Sequence, residues 1–442
     1  MKNAKPITQE LISKYSAAYD ANPALKTLSV ALSKSSLADA AFDERDAAKV
    51  DFKFAIDLPT TAVTNQKSSG RCWLFAGMNV LREIVAKNCN TERIELSENY
   101  IAFWDKFEKI NYFLESIIDT ASLPADDRTV NWILSGVSDG GQWDMIVSLV
   151  KKYGVAPISA MPETFQSSNT RTMNQMINMK LREYAIELRK IVNSGSCPQK
   201  RKEEMLGEMY NVLCICFGKP VEKFDFEYID KDKNYHADRG LTPLEFYNKY
   251  VGIEIEDYIS VINGPTKDKP FGKSYTVNYL GNVVGGHIKY LNVEMDKLKE
   301  LIVAQLKDGE PVWFGSDCGK YGDRTAGVWD IDSFHYSELL GGITFGLTKE
   351  QRLDHRDSAM NHAMVITGVN FGADGKPDRW KIENSWGEEA GKKGYYVMSA
   401  KWFDEFTYQA VINRKYLSAE LAKAYDAEPI ILKPWDPMGT LA

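Results

Sequence analysis

Gln66-Lys-Ser-Ser-Gly-Arg-Cys72-Trp-Leu-Phe-Ala-Gly-Met-Asn-Val-Leu-Arg82 is the stretch on which the reading of this chain turns. It opens on turn-forming residues and then changes period. Leu74, Met78, Leu81 and Val85 recur at helical spacing, which predicts a buried amphipathic helix with Cys72 in its first turn. The amide N–H groups of a helix N-terminus are unpaired and the macrodipole is positive there, so the thiol is expected to lean toward thiolate. An unpaired cysteine is more commonly a small core residue, and position alone leaves both readings open. Gln66, six residues upstream across the Ser-Ser-Gly turn, brings a side-chain amide that could donate to an oxyanion forming above the sulfur.

A second constellation lies near the C-terminal end. Ala363 to Asn370 and Arg379 to Glu383 read as two strands joined by Ala373-Asp-Gly-Lys-Pro377, whose Asp-Gly is a hairpin signal. His362 immediately precedes one strand and Asn384 ends the other. Folding the hairpin puts them within a few residues of cross-strand register, near enough for the asparagine to fix the tautomer of the imidazole. His236, His287, His335 and His355 have no such partner and read as structural or exposed.

The residues around Cys72 resemble the papain-like cysteine peptidases, whose signature is a Gln, a Gly-containing turn, and Cys-Trp-x-Phe-Ala opening the central helix. Cys72, Trp73, Phe75 and Ala76 match it. Asn361-His-Ala-Met-Val and Glu383-Asn-Ser-Trp-Gly387 resemble the histidine and Asn-Ser-Trp-Gly motifs, and Leu96-Ser-Glu resembles a further family segment in which Ser97 would cap a helix. The resemblance implies Cys72 as nucleophile, His362 as base, Asn384 as its orienting partner, Gln66 in the oxyanion hole, and Trp386 shielding the His362–Asn384 hydrogen bond. It also implies that Gly141, in Ser138-Asp-Gly-Gly-Gln-Trp143, and Asn361 line the substrate cleft. Ser69 departs from the pattern, since secreted members usually carry a disulfide-forming cysteine there. The departure points to an intracellular branch and a cytoplasmic location.

Composition narrows the partners. The chain has 442 residues, 44% of them hydrophobic, and a net charge of −7, which disfavours nucleic acid or an anionic membrane as the main partner. No stretch approaches the length of a spanning helix, and the N-terminus has no apolar leader. Six cysteines are too sparse for a disulfide framework, and Cys214-Ile-Cys216 lies in an apolar helical run without a nearby histidine. No metal or other cofactor is expected.

The expected fold is α+β: a two-lobed papain-like body, one lobe helical and one barrel-like, carrying a helical insertion. Residues 1–60 form an extension wrapping the core, with a helix from Ile7 to Tyr19 and a strand from Val50 to Ile56; residues 61–164 form the helical lobe. Residues 165–270 form the insertion, mainly helical, which either contacts another subunit or folds back on the body. It opens with two amphipathic helices and includes a third starting at the capping box of Thr242-Pro-Leu-Glu245. Residues 271–430 form the β-rich lobe, with strands at Ser274–Leu280, Val283–Leu291 and Pro311–Gly315 and a helix at Met295–Leu306.

Residues 431–442 form a tail. Trp435, Met438 and Leu441 are costly to leave in water, and a tail docked in the cleft would set the carboxylate of Ala442 where a substrate's ammonium must sit. This ending is similar to that of the bleomycin hydrolase and bacterial aminopeptidase C family. That family implies a cytosolic thiol aminopeptidase of broad specificity on short peptides, assembled as a homohexamer. The competing readings are an endopeptidase whose tail is irrelevant and a non-catalytic binding or scaffold protein on the same fold.

Overall fold

The computed structural model describes residues 4–441. Fourteen strands are found among them: β1 (Ile56–Asp57), β2 (Phe224–Ile229), β3 (Tyr235–Leu241), β4 (Tyr258–Ile262), β5 (Lys273–Val277), β6 (Tyr290–Asn292), β7 (Val312–Ser316), β8 (Gly322–Asp323), β9 (Val328–Trp329), β10 (His362–Phe371), β11 (Pro377–Glu383), β12 (Tyr395–Ser399), β13 (Thr407–Asn413) and β14 (Ile430–Leu432). Twelve of these make one mixed sheet in the order β14-β5-β6-β4-β13-β7-β10-β11-β12-β9-β8, with β1 on β10, and β2 and β3 form a separate hairpin.

Successive side chains of a strand face opposite ways, and the central strands use both faces. Ala363 and Val365 of β10 and Trp313 of β7 pack into the core of the helical lobe. Met364 and Ile366 of β10, with Val312 and Phe314 of β7, enter a second core under the helix Met295–Lys307. The sheet therefore separates two hydrophobic bodies. Its central strands read as near-continuous apolar runs for that reason.

In the helical lobe, the helix Cys72–Asn88 is almost wholly buried. Trp313 Nε1 donates to the carbonyl of Trp73 at 3.1 Å, fastening this helix to β7. The helix Glu98–Asp119 begins where expected, with Ser97 Oγ accepting from the Tyr100 amide at 3.0 Å. The insertion opens with the helices Arg171–Asn193 and Gln199–Phe217, and Thr242 and Glu245 form the anticipated capping box. Cys214 and Cys216 are half-buried against the first core.

Four sequence expectations need correction or refinement. The span 165–270 is less helical than read: Phe224 and Phe226 alternate with Asp225 and Glu227 to make β2 amphipathic, and β4 belongs to the main sheet, so the β-rich lobe starts before residue 271. The run Val283–Leu291 becomes a strand only at Tyr290, after a bend at Gly285 with φ 86°. In the run Val50–Ile56, only Ile56 enters a strand, while Phe52 and Phe54 pack on Val328 and Val397 with no ladder partner. Finally, the extension holds the body from residue 41 onward, through Asp43 N to Ser333 O and β1 on β10. The helices Gln9–Asp20 and Pro23–Leu32 bury no residue.

Candidate active site

Cys72 is the first residue of its helix and only 5% exposed. The helix start has no side-chain cap, so its first amides remain available. The N–H groups of Cys72 and Trp73, and that of Ala363 across the cleft, are directed at the sulfur. Burial outweighs them and pushes the Cys72 thiol up to about 11. This corrects the expected lean toward thiolate: the helix terminus acts in the anticipated direction, and desolvation is the larger effect.

His362 begins β10 opposite Ser316 of β7, and the β10–β11 register of Val365 with Glu383 carries Asn384 alongside it. Nε2 of His362 lies 2.8 Å from Oδ1 of Asn384, and the Ser385 amide donates to the same oxygen at 2.8 Å. The Ser385 amide can donate only to an acceptor, which fixes this atom as the carbonyl oxygen, so Nε2 must carry the proton and neutral His362 has its bare nitrogen at Nδ1. Burial lowers His362 to about 4, against the hydrogen bond to Asn384. Trp386 stacks on the imidazole, ring centroids 4.9 Å apart, and the Arg324 guanidinium covers the other end of this stack at 4.2 Å from the Trp386 ring.

Gln66 is buried beside this group. Its Oε1 accepts from Ser385 Oγ at 2.7 Å and its backbone N–H donates to Ser385 O at 2.9 Å, which ties the turn to the Asn-Ser-Trp-Gly segment. One N–H of its Nε2 goes to Ser69 O at 2.6 Å, leaving the second for a ligand. Lys67 takes a left-handed φ of 54° to make the turn, a conformation non-glycine residues rarely hold.

Gly141 stands against the Trp73 indole: a Cβ there would lie 2.5 Å from ring carbons. The Trp73 Nε1 in turn donates to Asp139 O at 2.6 Å. The Asn361 side chain is exposed and engaged, donating to Asp317 Oδ1 at 2.5 Å and accepting from the Cys318 amide at 3.1 Å. Ala442 lies outside the described residues. The tail before it is docked: Trp435 lies under Arg128 at 3.7 Å, Asp436 meets the buried Lys269 at 3.0 Å, and Met438 and Leu441 are buried. Thr440 Oγ1 donates to Met360 O at 2.8 Å, two residues from His362. A cavity of about 1040 Å³ opens beside the tail, bordered by Asn361, Asp317, Lys320, Trp435 and Thr440.

Sequence reasoning missed the supports. Asp139, in the quoted Ser-Asp-Gly-Gly motif, gathers four donors, and Arg82 meets Glu383, the residue before Asn384, at 2.6 Å with both side chains 1% exposed. A charged residue inside the apolar helix 72–88 was the available signal for the second. The one cluster of metal-ligand type among the described residues, Asp43, Asp46 and His335, has its carboxylates engaged by Arg45 and Lys49.

The Peptidase C1-like family model matches residues 6–439. Aminopeptidase C of Listeria innocua is 48% identical over 438 residues, covering 99% of both chains, and aminopeptidase C of Streptococcus thermophilus is 47% identical over 441 residues at the same coverage. Human bleomycin hydrolase is 42% identical over 402 residues, 88% of each chain. Among solved structures, PepW of Lactobacillus rhamnosis superposes with a TM-score of 0.96 at 47% identity over 99% of both chains. The α+β fold is papain-like, and the chain belongs to the Peptidase C1-like family.

Proposed function

We propose that this protein is a cysteine aminopeptidase that removes N-terminal residues from short peptides. Cys72 is the nucleophile and Nδ1 of His362 accepts its proton, while Asn384 holds the ring by its Nε2–H. Proton transfer from sulfur to imidazole turns a buried neutral pair into an ion pair without changing the site's net charge. The mutual attraction of the two charges then opposes the desolvation each meets alone. The thiolate attacks the scissile carbonyl, and the free N–H of Gln66 with the Cys72 amide receives the oxyanion. His362 then protonates the leaving amine, and water hydrolyses the thioester. Gly141 and Asn361 border the bound peptide, and Trp386 keeps water from the His362–Asn384 bond.

The docked tail carries the aminopeptidase reading over the endopeptidase one. Thr440 is held to Met360 O, two residues before His362, and Leu441 after it is buried. We read the tail as lying on the side where a longer substrate would extend upstream of the scissile bond, with Ala442 toward the substrate's ammonium. Relatives named aminopeptidase C agree with this. We place the protein in the cytoplasm, as the serine at 69 and the family resemblance imply, and its six unpaired cysteines support this. We also propose self-association, as the homohexamer implied by resemblance, through the insertion read above as contacting another subunit and through the N-terminal helices, whose Tyr15 and Val30 are 62% and 73% exposed.

The test is mass-spectrometric digestion of one peptide and its N-acetylated twin, with Cys72→Ala as blank. Stepwise N-terminal loss from the free peptide alone is expected. Internal cleavage of both twins would leave a thiol endopeptidase, and no Cys72-dependent cleavage would leave a binding protein.

A further inference from the structure

The insertion reaches the cleft. Thr170, Asn174 and Asn178 are spaced four residues apart along the start of the helix Arg171–Asn193 and so share one face. That face is laid along the loop 136–141. Asn178 pairs with Val137 as a strand would, Oδ1 accepting from its amide at 2.8 Å and Nδ2 donating to its carbonyl at 3.0 Å. Asn174 Nδ2 donates to Asp139 Oδ1 at 2.9 Å, and Thr170 Oγ1 to Asp139 Oδ2 at 2.5 Å. Lys106 Nζ donates to Asp139 Oδ1 at 2.8 Å and to Ser138 O at 2.8 Å, while Lys109 donates to Gly140 O.

The fourth donor to Asp139 is the Gly70 amide, at 3.2 Å from Oδ2, two residues before Cys72. One carboxylate therefore joins three separate pieces: the turn that leads into Cys72, the Gly140–Gly141 wall, and the insertion. Burial alone would raise it, yet Lys106 and the hydroxyl and amide donors hold it well below the usual carboxylate range. Trp73 adds a second tie through Asp139 O. With serine at 69 and all six cysteines unpaired, this tie between turn and wall is polar throughout.

We propose that Asp139, held by Thr170, Asn174 and Lys106, is a positioning residue that registers the Gly140–Gly141 wall against Cys72, so that the insertion sets the space for the side chain N-terminal to the scissile bond. The inference rests on the aminopeptidase reading above. It separates two properties of the site. The Cys72–His362–Asn384 group has further braces in β7, β10 and Gln66, so loosening the wall should weaken the hold on a bound residue more than the reactivity of the thiol.

The experiment compares the full-length protein with Asn174→Ala, Thr170→Val and Thr170→Ser, and with a Thr170→Val/Asn174→Ala double variant. Iodoacetamide alkylation of Cys72 reads the nucleophile without filling the wall. Fluorogenic aminoacyl amides carrying Ala, Leu or Phe read the wall. The double variant is expected to alkylate within about twofold of the parent and to lose at least tenfold in kcat/KM, mostly as higher KM, with the preference among the three side chains flattened. Thr170→Ser, which keeps the hydroxyl, should behave as the parent. Parallel loss of alkylation and turnover, or unchanged kcat/KM and preference, would overturn the inference. An inactive parent would overturn the aminopeptidase reading and this inference with it.

Discussion

The Arg82–Glu383 pair should respond asymmetrically when one partner is removed. Arg82 lies ten residues after Cys72 on the same helix, and Glu383 precedes Asn384, so the pair pins the strand end that orients the imidazole to the helix that carries the sulfur. Their N–O separation is 2.6 Å and both side chains are 1% exposed. Leaving one member of such a pair buried and unmatched costs on the order of 3–5 kcal/mol. The two members differ, however, in whether they can shed their charge. Burial, opposed by Arg82, already holds Glu383 up at about 7, so without Arg82 it takes a proton at neutral pH at little further cost. The guanidinium cannot deprotonate. Glu83, 3.2 Å from Nε, is then its carboxylate partner, with the Thr61 carbonyl at 3.5 Å from Nη2. Glu383→Gln is therefore expected to cost about 3 kcal/mol or more and Arg82→Met about 1–2 kcal/mol. The double variant should fall within about 1 kcal/mol of Arg82→Met rather than at the sum. Urea unfolding followed by tryptophan fluorescence at pH 7, with m compared across the four proteins, measures this. Equal costs for the two single variants, or additive costs in the double, would refute the argument.

Two other outcomes are expected. Gly141→Ala places a Cβ about 2.5 Å from the Trp73 ring, so wall or indole must move; overpacking of this kind costs about 1–3 kcal/mol, and a tenfold or greater loss in kcat/KM with alkylation of Cys72 retained is expected, unchanged turnover being the contrary result. For pH, a thiolate made by proton transfer from Cys72 to His362 leaves the pair's proton count unchanged, so iodoacetamide alkylation should be nearly flat from pH 5 to 9, whereas a thiol that burial raises and that titrates alone would gain about tenfold per pH unit, and that rise would refute the paired site. His362 by itself makes stability fall as pH drops from the usual 6.5 through about 4, because its folded value is lowered, while the buried carboxyls of Glu98, Asp144 and Glu383, raised to about 8, 7 and 7, act in the opposite sense.

What could be read from the sequence shares one property: the information is local. The helix at 72–88 shows its period, Ser97 and Thr242 show their caps, and the hairpin joining β10 to β11 shows its turn. The proposed catalytic group, Cys72, His362 and Asn384, belongs with these, since each of its residues sits in a short motif at an element end. The β2–β3 hairpin was equally local and still missed. Its turn, Asp230–Asn234, is built from charged residues with Lys233 at a φ of 69°, and the Asp230 carboxylate closes it by accepting from the Asn234 amide, so no glycine announces it. The run at 283–291 failed in the opposite way, because apolar composition promised a strand where Gly285 and Gly286 bend the chain.

The supports were illegible for another reason. Arg82 and Glu383 are 301 residues apart, and the four donors to Asp139 come from positions 70, 106, 170 and 174. No periodicity relates them, and each alone reads as a solvated charge or a cap. A buried charge must nevertheless be matched to exist at all. A lysine or arginine on the inward face of an apolar helix, such as Arg82 on 72–88 or Lys106 and Lys109 on 98–119, is thus itself a statement that a distant carboxylate or carbonyl array completes it. Here both completions end beside the cleft, one at the residue before Asn384 and the other at the residue before Gly140. The chemistry of the site can be carried by a few local motifs because its geometry is held by charges that only the folded chain brings together.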